Sequence, residues 1–99
     1  MAVVRYEDLH ADPVAGFARM AATAGLATTP DRVAAAVAAT RFARLRGLEA
    51  AHGFPERPAA ATTFFRRGAV GGWRDDLPAH LARRIERAHG EAMADLGYL

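Results

Sequence analysis

Phosphate recognition is the chemistry best suited to the stretch Arg66-Arg67-Gly68-Ala69-Val70-Gly71-Gly72-Trp73-Arg74. An arginine side chain offers a forked pair of donors that matches two phosphate oxygens at once, and it keeps its charge at any ordinary pH. Gly68, directly after two arginines, lacks a Cβ, so its backbone N–H can approach an oxyanion closely and positive φ costs little. Gly71-Gly72 lets the chain fold back, and Trp73 supplies an apolar anchor. The plain alternative is a solvated loop with a packed Trp. Short Arg/Gly runs recur by chance, so spacing alone leaves both readings open.

Other chemistries are narrowed by what is absent. All 13 of the Lys+Arg residues are Arg, and Lys, Ser, Asn, Gln and Cys do not occur. Without Lys there is no Walker-type phosphate loop, and without Ser or Cys the usual acyl-transfer nucleophiles are missing. His10, His52, His80 and His89 show no metal spacing, so no metal is expected. The absence of Cys also removes a disulfide framework. A net charge of +2 permits anionic partners, but it does not make nucleic acid the expected one. No apolar run approaches the length of a membrane span, and acidic residues follow Tyr6 too early for a signal peptide, so a cytoplasmic protein is expected.

The elements that must position these arginines read as mostly helical. Val3 to Tyr6 is a β-branched and aromatic run, readable as one short strand. Asp12-Pro13 and Thr29-Pro30 are helix starts, each with a capping side chain followed by proline at the first helical position. Val14, Phe17, Ala18, Ala21 and Ala24 line one face, and Gly25 is a stop. Val33, Val37 and Thr40 continue a second stripe. Phe42, Leu45 and Leu48 suggest a third helix ending near His52-Gly53. Residues 53–63, with Pro55 and Pro58, form a loop. Pro78 opens the longest helix, whose stripe is Leu81, Ile85, Ala88, Ala92 and Leu96, with Gly97 at its end. A lone strand cannot satisfy its own backbone groups, so Val3 to Tyr6 must pair outside this stretch.

Three segments, in order, resemble the sulfotransferases that use 3′-phosphoadenosine 5′-phosphosulfate (PAPS). Arg66 to Arg74 is similar to that family's Arg-Lys-Gly-x-x-Gly-Asp-Trp-Lys signature, with Arg67 in place of Lys and Gly72 in place of Asp. Val4-Arg5-Tyr6-Glu7-Asp8-Leu9 looks like the family's strand ending in Tyr-Glu-Asp/Glu. Thr40-Arg41-Phe42-Ala43-Arg44-Leu45 is similar to its Thr-Ser-Phe-x-x-Met/Leu segment. The resemblance implies that Arg66, Arg67 and Gly68 bind the 3′-phosphate. It implies also that Tyr6 approaches the nucleotide and that Thr40 and Phe42 hold the adenine. Read without it, Tyr6 is an ordinary strand-end aromatic, Phe42 a core residue and Thr40 a helix-end cap.

The implied fold is mostly α with one short strand, a C-terminal fragment of the family's three-layer α/β P-loop fold. Residues 1–99 would form a single partial domain. The implied co-substrate is PAPS, or its product 3′-phosphoadenosine 5′-phosphate (PAP). Full-length members transfer a sulfuryl group from PAPS to a hydroxyl or amine. The family's phosphosulfate-gripping Lys and its catalytic base precede the matched region, so no catalytic residue is expected here and the chain alone should be inactive. A separate N-terminal half is a candidate partner. Residues 74–84 do not reproduce the dimer element of cytosolic animal members, and the pattern looks closer to bacterial ones. The competing expectation is a small, non-catalytic helical module whose apolar stripes bind a protein.

Overall fold

A computed structural model describes residues 2–99 as six helices: α1 (Tyr6–Ala11), α2 (Pro13–Thr23), α3 (Pro30–Ala39), α4 (Phe42–His52), α5 (Trp73–Asp76) and α6 (Ala79–Asp95). The capping residues act as their positions predict. The Asp12 carboxylate accepts the Ala15 N–H at 3.1 Å, and the Thr29 hydroxyl accepts the Arg32 N–H at 3.3 Å. Each thereby satisfies a donor that has no partner inside its helix. The five alanines of α3 favour the helical state locally. α4 stops at Gly53, which has φ of 75°.

The expected strand is corrected: among the described residues there is no strand. Arg5 is extended, at φ −81° and ψ 144°, and Tyr6 already opens α1. No second strand lies alongside to accept its N–H groups, and Val3 remains 58% exposed. Without a ladder, the residues after Arg5 take the helical state, with Glu7 and Asp8 in the first turn where the positive end of the helix favours them. α5 was not expected from the pattern. α6 is not one straight rod either. His89 sits at φ −130° and ψ 16°, so the helix kinks where Gly90 follows.

The main helix-on-helix packing among the described residues is in the first three helices, where α1 lies on α2 and α2 on α3. Gly16 and Val33 are the buried residues among those described. Gly16 lets Leu9 seat closely on α2: a Cβ there would come within 2.6 Å of the Leu9 Cδ2, and that side chain would have to shift. Elsewhere the chain is open. Its accessible surface is 7795 Å², against ~5,500 Å² for a compact monomer of this mass. The radius of gyration is 16.5 Å, where about 13 Å is usual for this length. The α6 stripe stays largely uncovered, with Ile85 at 45% exposure.

Candidate functional site

The Arg66–Arg74 segment is built around a glycine and an aromatic ring. Gly68 adopts φ of 59°, a region that L side chains rarely enter, and any Cβ there would collide with the Phe42 ring, its Cε2 lying 2.7 Å away. Phe42, at the first turn of α4, is thus the floor on which the loop turns. Its ring also meets Phe65 edge-on, with centroids 6.3 Å apart. Phe54, Phe64 and Phe65 stack against one another at 4.6 to 5.1 Å, making an aromatic knot just before the two arginines.

A shallow cleft of about 500 Å³ opens above this turn, lined by Tyr6, Arg66, Arg67 and Gly68 together with Trp73 and Asp76. Four of the six expected site residues therefore line one space, and Phe42 packs directly beneath it. Thr40 stands apart. Its hydroxyl donates to the Ala36 carbonyl at 2.8 Å, as the C-terminal cap of α3. It borders a separate groove with Phe17, Ala36 and Val37.

The arginines are not idle. Arg66 donates to Asp76 at 2.6 Å, and Arg67 pairs with Asp75 and, at 3.4 Å, with Asp76. A further donation runs from Arg67 to the Gly72 carbonyl at 3.4 Å. The Arg66 hydrogen bond, with the charges of Arg66 and Arg67, holds the Asp76 carboxyl below the usual carboxylate range. The two carboxylates on α5 thus occupy the guanidinium faces that an anionic ligand would use. All these partners are solvent-accessible, so exchange with a dianion costs little.

Tyr6 is placed by contacts that motif reading misses. Tyr98 donates its hydroxyl to Glu7 at 2.9 Å, and the Arg5 guanidinium lies 4.6 Å above the Tyr98 ring. Glu7's own backbone N–H, then the Tyr98 hydroxyl, hold its carboxyl below the ordinary range. This clamp fixes the start of α1, so that Tyr6 faces the cleft with its ring on His10, centroids 4.5 Å apart. Glu49, Asp75 and Asp76 were likewise not foreseen. Their partners lie 8 to 16 residues away and follow no helical or strand period.

A second cavity, of about 320 Å³, lies on the far side of Trp73 and is lined by Arg5, Glu7, Arg74, Ile85 and Tyr98. Its arginines already cover aromatic faces, Arg5 on Tyr98 and Arg74 on Trp73 at 4.8 Å. It too sets guanidinium groups beside positive-φ glycines, Arg74 at Gly71 and Arg5 at Gly97, but these arginines come from separate segments, whereas the first cleft presents two consecutive arginines directly before its glycine. Among the described residues no group of three or more His, Asp or Glu side chains could hold a metal ion, and no helix is long and apolar enough to cross a membrane.

A helical chain with a two-arginine, glycine-turned cleft is what the sequence motifs led one to expect, and family comparison agrees on the class. The sulfotransferase-domain family matches residues 1–97, and the chain belongs to it. Among particular proteins, cytosolic sulfotransferase 16 of Arabidopsis thaliana is 34% identical over a 106-residue alignment that covers 97% of this chain. The chain spans 31% of that relative's length. No solved structure matches it.

Proposed function

We propose that this chain binds the 3′-phosphoadenosine part of PAPS or PAP, as the C-terminal part of a sulfotransferase. Arg66 and Arg67 take the 3′-phosphate oxygens in a bidentate manner, and the Gly68 N–H adds a close backbone donor. Tyr6 lies across the cleft toward the nucleoside. Phe42 serves the adenine side through its ring; Thr40, which borders a separate groove, is assigned to the adenine by its place in the motif alone. The observation that carries this reading is the turn itself. Gly68 holds a positive φ against Phe42, a cradle that a Cβ would fill, and two guanidinium groups flank it on the cleft that Tyr6 also lines.

Sulfuryl transfer would need donors on the 5′-phosphosulfate and a base on the acceptor, and these would come from a separate N-terminal portion. Residues 1–99 would then be one partial domain of the three-layer α/β P-loop fold. The lack of an animal-type dimer element in residues 74–84 favours a bacterial-type member, and the likeness to a plant cytosolic sulfotransferase favours action in the cytoplasm. Arg66→Ala tests the nucleotide reading. PAP affinity should fall about 10- to 100-fold, the scale of a hydrogen bond to a charged group. An unchanged affinity would remove Arg66 from the site.

A second reading is supported by the exposed stripe of α6, with Leu81, Ile85 and Leu96 each more than a third accessible. On that reading the chain is a non-catalytic interaction module whose helix faces bind a protein. It predicts no effect of Arg66→Ala on partner capture and a large loss on Ile85→Asp.

A further inference from the structure

The cleft depends on a residue that does not line it. Glu49 lies in the last turns of α4, and its carboxylate reaches across to the chain that enters the arginine pair. Its Oε1 accepts the Phe64 N–H at 2.6 Å and its Oε2 accepts the Phe65 N–H at 3.0 Å. Two consecutive backbone donors are thus satisfied by the two oxygens of one side chain, immediately before Arg66. The aromatic knot of Phe54, Phe64 and Phe65 closes over the same point. Because α4 also begins with Phe42, one helix supports the loop twice, through a ring beneath Gly68 and through a carboxylate at Phe64 and Phe65.

We propose that Glu49 is a positioning residue for the anion cleft, fixing where the Arg66–Arg67 pair is presented by holding the Phe64 and Phe65 amides. This rests on the reading of the cleft as the 3′-phosphate site. No other residue type does this as well. Gln offers one acceptor oxygen and a donor that opposes the second N–H, and Asp is one methylene short of the span. The bonds run from neutral donors to a charged acceptor, the stronger class of hydrogen bond. The Phe64 N–H, then that of Phe65, with the charges of Arg57 from the following loop and Arg46 from α4, hold the Glu49 carboxyl below the ordinary range. The arrangement therefore persists at neutral pH and is released only in acid.

The test pairs a measurement that needs no nucleotide with one that does. In ¹⁵N-labelled protein the Phe64 and Phe65 amide resonances should move together as acid protonates Glu49, and those movements should vanish in Glu49→Gln. Amides that ignore the carboxylate would overturn the proposal whether or not nucleotide binds. With PAP as the probe, Glu49→Gln should weaken binding about tenfold, with an unchanged helical circular dichroism spectrum. Glu49→Asp should recover little of it. A Glu49→Gln chain that binds PAP as tightly as the parent would overturn the positioning role. If the parent fails to bind PAP while the amides still follow Glu49, the 3′-phosphate reading falls, and with it the role assigned to Glu49 in nucleotide binding.

Discussion

In α1 to α3 the contacts between elements are made by apolar groups, with Leu9 seated on Gly16 and Val33 buried at 7% exposure. From residue 53 onward, outside the ring cluster of Phe42, Phe54, Phe64 and Phe65, the chain is bridged by polar groups: Glu49 on two amides, Arg66 and Arg67 on Asp75 and Asp76, Tyr98 on Glu7. The first kind of contact is worth about 25 cal/mol for each Å² removed from water and does not depend on pH. The second is directional, solvent-screened and exchangeable. A ligand that competes for guanidinium groups can therefore rearrange the second region without disturbing the first. The anion cleft sits where the molecule can yield.

The contrast is broken most severely by Arg66→Ala. Besides its loss of PAP affinity, this variant should melt close to the temperature of the parent, since the Arg66 side chain is 64% exposed and exposed ion pairs contribute little. A large fall in melting temperature would mean that the ion pairs, too, hold the fold. Val33→Ala is the converse. It should cost about 1.5 kcal/mol of stability, two methylene equivalents of buried surface. PAP affinity measured below its melting transition should stay unchanged.

Asp76→Asn sharpens the point on a smaller scale. Removing the carboxylate that shares both arginines should raise PAP affinity about two- to fivefold, the scale of an exposed pair. A loss of affinity would show that Asp76 orients the arginines rather than competing for them. The smallest effect is on pH. Glu7, Glu49 and Asp76 all have carboxyls held below their ordinary values in the folded chain. Each contributes stability that is present above the ordinary carboxylate range and lost as pH falls through its lowered value. Melting followed by circular dichroism should decline modestly in acid, and the triple variant with Gln at 7 and 49 and Asn at 76 should flatten that decline.

Local signals were read correctly wherever the cause was local. Asp12-Pro13, Thr29-Pro30 and Gly53 each act within a few residues, so the bounds of α2, α3 and α4 were legible. The strand at Val3 to Tyr6 was not, because β-branched side chains specify an extended chain only where a neighbour can pair with it. α5 and the kink at His89 left no periodic mark. Within the site, the Arg66-Arg67-Gly68 run stood out by residue type, although spacing alone left a phosphate cradle and a solvated loop equally open. Glu49 was not, because a carboxylate that captures amides 15 and 16 residues away has no signature in its own neighbourhood. The Asp75 and Asp76 pairing was equally hidden, since contact across a glycine turn depends on where the loop folds back.

Calorimetric titration of the purified chain with PAP, against adenosine 5′-phosphate as the comparison ligand, is the most direct measurement. The proposed function predicts saturable binding that requires the 3′-phosphate, the group assigned in it to the paired arginines and the Gly68 turn. Equal affinity for the two nucleotides, or no binding by a chain shown to be folded, would contradict it.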